Sequence, residues 1–120
     1  MTREKLLGAF GEAAAAEYLR KKRYEIAAMN YRCPLGELDI IARQKDTWVF
    51  VEVKLRREGG YASAAEAVTP AKQRKVRAAA EVWLSSRGEE DAPCRFDVIE
   101  VYLEKSGSRV TAINHLEEAF

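Results

Sequence analysis

Leu7, Phe10, Ala14 and Tyr18 recur at helical spacing within an Ala- and Leu-rich run, which predicts a first helix from about Thr2 to Lys22. Arg20-Lys21-Lys22-Arg23 closes it, where cations complement the helix dipole. A short strand follows over Tyr24 to Asn30, and Cys33-Pro34-Leu35-Gly36 reads as a turn. Two alternating runs come next, Glu37 to Arg43 and Trp48 to Leu55, joined closely enough by Gln44 to Thr47 to form a hairpin. Arg56 to Val68, with Gly59-Gly60 and small residues, reads as a loop. Thr69 and Pro70 supply an N-cap and a first-turn proline for a second helix that runs to about Arg87 and stops at Gly88. Its apolar stripe is Val76, Ala79, Ala80, Trp83 and Leu84. Arg95 to Leu103 and Arg109 to Ile113 are the last strands, separated by a turn at Ser106-Gly107. Helix, three strands, helix, two strands predicts one α/β domain over residues 1–120, built on a central mixed five-stranded sheet.

Charge sharpens that outline. Twenty basic and nineteen acidic residues leave a net charge of only +1. Residues 1–77 nevertheless carry 16 Lys/Arg against 10 Asp/Glu, and residues 78–120 carry 4 against 9. A basic first part and an acidic second part point to an anionic partner, although solvated helix faces produce the same split. No uncharged run exceeds seven residues, which excludes a membrane-spanning helix. Glu12, Gly8 and Gly11 spoil Leu6 to Ala16 as an export signal. Cys33 and Cys94 are far apart and read as free thiols, so the expected location is cytoplasmic.

The chemistry lies on the predicted hairpin. Period-2 geometry puts Glu37, Asp39 and Ile41 on one face, and Trp48, Phe50, Glu52 and Lys54 together on the facing strand. A turn centred on Lys45-Asp46 sets Asp39 opposite Glu52 and Glu37 opposite Lys54. Two like charges that close are destabilising and require compensation. Lys54 supplies part of it, and a hard divalent cation such as Mg²⁺ bound by carboxylate oxygens supplies more. Lys54 beside such an ion would orient or deprotonate an attacking water, or stabilise charge developing on a phosphate. The competing reading is a solvated hairpin face with cross-strand ion pairs. Trp48 and Phe50 on the same face as Glu52 argue against full solvation.

Asp39 followed by Glu52-Val53-Lys54, the chain's only Glu-x-Lys or Asp-x-Lys tripeptide, resembles the core of restriction-endonuclease-like nucleases. Gly8-x-x-Gly11-Glu12, Asn30-Tyr31-Arg32, Gly36-Glu37-Leu38-Asp39-Ile40-Ile41-Ala42, Phe50-Val51-Glu52-Val53-Lys54, Thr69-Pro70-x-Lys72-Gln73 and Arg95-Phe96-Asp97-Val98 extend the likeness over most of the chain. Together they resemble the YraN-like family of small bacterial proteins of uncharacterised function, similar in plan to archaeal Holliday-junction resolvases. That resemblance implies a restriction-endonuclease-like fold and hydrolysis of phosphodiester bonds in DNA, branched DNA included, with Mg²⁺ or Mn²⁺. It implies metal binding by Asp39 and Glu52, a catalytic role for Lys54, and Glu12 as the helix-borne acid of the same site. Leu38 stands where the namesake pattern has proline. Two cuts at a junction would suit a homodimer.

Other positions support this reading with alternatives open. Glu12 has small neighbours at Gly8, Ala15 and Ala16, which suits an acid reaching a shared site or an ordinary exposed glutamate. Gln73 falls on the second helix's inward stripe, there to meet a metal ligand or phosphate, or to make a structural hydrogen bond. Lys72, Arg74, Lys75 and Arg77 crowd cations onto the first two turns, against the dipole's preference, and Arg56 and Arg57 extend the positive strip. A nucleic-acid backbone is the partner such a strip suits. Glu37 is a further ligand or the partner of Lys54, Asp97 a structural acid, and His115 a residue near a fraying end. The rival functions are a non-catalytic nucleic-acid-binding module and a protein-docking adapter.

Overall fold

The computed structural model describes residues 2–59 and 68–120. The elements are α1 (Arg3–Lys21), β1 (Glu25–Cys33), β2 (Gly36–Gln44), β3 (Thr47–Arg57), α2 (Pro70–Ser86), β4 (Cys94–Leu103) and β5 (Val110–Leu116). All five strands form one sheet in chain order, antiparallel except for the parallel pair β3–β4. Parallel neighbours need a crossover, and α2 is that crossover. The mixed sheet and its helix–strand order are those expected from the sequence. β3 runs on through Arg57, two residues beyond its predicted end. Residues 60–67, the centre of the expected loop, lie outside the described residues.

Helices α1 and α2 each start on a threonine cap. The Thr2 hydroxyl accepts from the Lys5 amide at 3.2 Å and that of Thr69 from the Lys72 amide at 3.1 Å. Ala15, Ala16 and Leu19 of α1 pack on Ile40, Ala42, Val49, Val51, Ile99 and Val101. Val76, Ala79, Ala80 and Leu84 of α2 cover Leu38, Ile41, Trp48, Phe50 and Phe96 on the other face. α1 therefore buries a face rotated from the expected one. Gly11 rather than Phe10 turns inward, and Phe10 is exposed. A β-carbon on Gly11 would already sit 3.1 Å from Leu55 Cδ1, so the absent side chain lets this helix lie close to β3.

Strict alternation breaks twice: β1 bulges between Ile26 and Ala28, and β1 and β2 both switch faces beside Asn30 and Asp39. Ile40 packs under α1, but Leu38 joins Ile41 under α2. In β1, Met29 packs toward α1, whereas Tyr31 and Cys33 join the α2 cluster. Asn30 and Asp39 sit across from each other at the switch, between the pairs Met29–Ile40 and Tyr31–Leu38. Asn30 takes the left-handed conformation (φ 54°), which its short polar side chain tolerates better than most. One kink thus crosses two strands, and it re-aims Asp39.

The β1–β2 turn is held against α2 at Gly36, where a β-carbon would fall 2.6 Å from the Lys75 carbonyl oxygen. That oxygen belongs to a helix and has no flexible end to move. Gly36→Ala is expected to push the hairpin tip off α2 and to cost about 1–3 kcal/mol, read as a lower midpoint in urea unfolding.

Candidate functional site

The β2–β3 ladder follows the expected register from Gln44–Thr47 to Ile40–Val51 and then stops. Beyond it the Asp39 side chain takes over, its Oδ2 accepting from the Val53 amide at 2.8 Å. The strands splay around this contact, so the predicted Glu37–Lys54 pairing does not form. Glu37 is exposed and pairs instead with Arg32, at 3.5 Å.

Glu52 lies beside Asp39 on β3, only 5% exposed. Two lysines converge on its Oε1: Lys54 Nζ at 3.8 Å and Lys72 Nζ at 3.6 Å. Lys54 comes from the same strand, two residues on, and Lys72 from the first turn of α2. Burial, followed by the Asp39 charge, pushes Glu52 up to about 7 against the pull of both lysines. Burial likewise raises Asp39, opposed by the Val53 amide and Lys72. Glu12 reaches the same place from α1. Burial and then Asp39 raise its carboxyl, while a hydrogen bond with Asn30 opposes the rise. Glu12, Asp39, Glu52 and Lys54 are therefore gathered by four different constraints: a helix face, a kinked strand, a buried strand face and its partly exposed end.

The remaining sequence candidates are dispersed. Lys72 moves from the expected phosphate strip into contact with Glu52. Gln73 spends its Nε2 on the Val68 carbonyl at 3.1 Å, the structural hydrogen bond of its two readings. Arg74 and Lys75 are exposed on α2. Arg77 stacks over Phe96 and Phe120, 4.6 and 5.7 Å from the ring centres. Arg56 is mostly buried, its Nε 3.4 Å from Glu100 Oε2, and Arg57 donates to the carbonyls of Glu104 and Gly107. The strip expected from Arg56 to Arg77 is thus not one continuous face. Asn30 and Arg32 belong to the site's surroundings, although the sequence pattern assigns them no chemistry. An asparagine within the apolar run from Ile26 to Tyr31 is the one available signal for the kink.

The donor set suits a hard cation. It is all carboxylate oxygen, and one oxygen each of Asp39 and Glu52 lies outside the contacts described above. Glu12, Asp39 and Glu52 are spread more widely than the one group of three donors within 4.8 Å among the described residues, Asp97, His115 and Glu117. A divalent ion of the magnesium type keeps several waters and spans such a spread with one or two carboxylates.

The tighter group is already engaged from within. Arg95 donates Nε to Asp97 at 3.1 Å and Nη2 to Glu117 at 3.0 Å, while His115 Nε2 lies 2.7 Å from Asp97 Oδ2. Burial raises Asp97, but His115, Arg95 and the Glu118 amide outweigh it and hold the carboxyl below its ordinary range. Asp97 is structural, as expected. His115 corrects the expectation of a fraying end: its side chain is 5% exposed, and Phe120 stacks on Phe96. Asp97→Ala would leave Arg95 and His115 facing a void and is expected to cost about 3–5 kcal/mol, measured by urea unfolding.

A cleft of about 400 Å³ lies between the β1–β2 turn and the start of α2 and shares Lys72 with the acid cluster. None of the helices among the described residues is long and apolar enough to cross a membrane.

Comparison with known proteins agrees with the resemblance to an uncharacterised family of small bacterial proteins. The model of the family described as "Uncharacterised protein family UPF0102" matches residues 11–101. A UPF0102 protein of Geobacter sulfurreducens is 47% identical over 116 residues, covering 97% of this chain and 89% of its own length. One from Alkaliphilus oremlandii is 48% identical over 118 residues, covering 97% and 98%. Another, from Caldanaerobacter subterraneus, is 41% identical over 117 residues, covering 98% and 96%.

Proposed function

The chain belongs to protein family UPF0102, and from the site its fold builds we propose that it is a metal-dependent nuclease that hydrolyses phosphodiester bonds of DNA. The observation that carries this reading is the convergence of Asp39 and Glu52 where β2 and β3 part, with Lys54 and Lys72 both on one oxygen of Glu52. Two acids largely withdrawn from water, with two amines to offset them, form a site that gains from a further cation and a phosphate. Bound Mg²⁺ or Mn²⁺ would supply Lewis-acid stabilisation of the phosphate's growing charge and a more acidic water.

The protein's own groups do the rest. Asp39 is locked by the Val53 amide, so the carboxyl is oriented before any ligand arrives. Lys54 is partly in solvent and stands next to the acids, placed to orient a water or to donate to a phosphate oxygen. Lys72 is similarly part-exposed and holds Glu52 from the opposite element. Glu12 adds a third carboxylate from α1, its pKa raised by burial and then by the Asp39 charge. DNA as the polymer, branching, and a homodimer are parts of the same proposal.

The test is cleavage of single-stranded and four-way branched DNA with Mn²⁺, by native protein and by Asp39→Asn and Glu52→Gln. Metal-dependent cutting lost in both variants supports it. Binding without cutting by native protein favours the non-catalytic module, and cutting that persists in both variants overturns the assignment of the site.

A further inference from the structure

We propose that the cleft between the β1–β2 turn and the start of α2 is a nucleotide subsite. It would hold the phosphodiester next to the scissile one on Arg32, Lys72 and Lys75, with Leu35 against the neighbouring base. The proposal rests on the nucleic-acid reading above and extends it to residues outside the acid cluster.

Size and charge agree. At about 400 Å³ the cleft falls in the range of small-ligand clefts, roughly 300–1,000 Å³. Three cations line it against one acid, Glu37. The Arg32–Glu37 pair is exposed, 77% and 52% by side chain, so it contributes little and Arg32 is open to exchange its carboxylate for a phosphate. The first turn of α2 carries no acid, and its dipole favours an anion there.

Position then identifies the occupant. Lys72 lines the cleft and its Nζ also lies 3.6 Å from Glu52, so one side chain joins the cleft to the acids. A group held there is covalently close to one reacting at Asp39 and Glu52, as successive phosphates of a strand are. A free anion needs no apolar wall, yet Pro34 and Leu35 supply one, and Leu35 is 57% exposed at the turn. An exposed leucine beside phosphate-binding cations is the type of side chain that packs on or between bases. The turn is also preset. Gly36 brings its backbone against the Lys75 carbonyl so closely that no side chain would fit, which fixes Leu35 relative to the cations.

The experiment is fluorescence anisotropy of a labelled 15-nucleotide single strand, with Ca²⁺ replacing Mg²⁺ to hold off cleavage, over a salt series. Arg32→Ala/Lys75→Ala is expected to weaken binding about tenfold at low salt and to reduce the slope of log K against log salt by about 1.4, at ~0.7 per lost contact. Leu35→Ser is expected to weaken binding several-fold with an unchanged slope, and Arg20→Ala/Lys21→Ala, on the far end of α1, to bind as native protein does. Native-like affinity and slope in the Arg32/Lys75 variant would overturn the subsite while leaving the nuclease reading to its own assay. Conversely, a shifted slope in a protein that cuts nothing supports the subsite and overturns only the hydrolysis. A native protein that binds no strand at low salt overturns both.

Discussion

Asp39→Asn and Glu52→Gln are each expected to lower metal-dependent cleavage by at least about 10³-fold, the scale on which fixed charges at a reacting phosphate act. The size follows from what the carboxylates offer that amides do not. The Asp39→Asn variant still presents a side-chain carbonyl oxygen to the Val53 amide, so the hydrogen bond at the parting of β2 and β3 survives and the fold with it. Glu52→Gln places an uncharged amide where burial already penalises charge, so stability should not suffer. Both variants therefore separate folding from chemistry. Lys54→Met should fall with them in turnover but keep more of its metal affinity, because it contributes no oxygen to a cation. A Lys54 variant with native turnover would remove the lysine from the chemistry.

Most of this site is legible in the sequence, and the parts that are not have physical reasons. The register of the hairpin follows from the turn, and it holds as far as Ile40–Val51. It fails at the next pair because alternation is a local rule, while the kink at Asp39 is shared with Asn30 across β1. Glu12 stays open between two readings on α1 alone; Asn30 and Asp39, on other elements, decide its surroundings. The basic strip breaks up for a related reason. Arg56 finds Glu100, 44 residues away, and Arg57 reaches carbonyls 47 and 50 residues away, contacts that no window along the chain contains. Lys72 shows the reverse case. Helical spacing places it correctly on the first turn of α2, and the crossover then brings it to Glu52. Family likeness extends over nearly the whole chain, and it is the kinked strand pair rather than the overall order of elements that concentrates the acids.

The same buried acids make stability depend on pH and on metal, with a sign opposite to that of an ordinary salt-bridged carboxylate. Glu52 has a folded value of about 7 against 4.5 when unfolded, so between those values the folded protein binds more protons. Stability must then fall as pH rises from about 4.5 to 7 and level off above it. Shifts at Asp39 and Glu12 run in the same direction, and the lowered Asp97 acts only below its ordinary range, outside this window. The Glu52 penalty above pH 7 is on the order of 3 kcal/mol. For a chain of this length that is roughly a 10 °C difference in melting temperature. Glu52→Gln should remove most of the fall, so that the variant melts above native protein at pH 8 and level with it near pH 4.5. A divalent cation should act on the native protein as the variant does, by offsetting the charge. Saturating Mn²⁺ at 100 times its dissociation constant is expected to add about 2.7 kcal/mol at pH 8, less at pH 5 where Glu52 is protonated, and little to Glu52→Gln at either pH. Thermal unfolding over a pH and metal grid reads all of these at once. A native protein whose melting temperature ignores Mn²⁺ at pH 8 would show that the two acids are settled by Lys54 and Lys72 alone, and would remove the cation from the site.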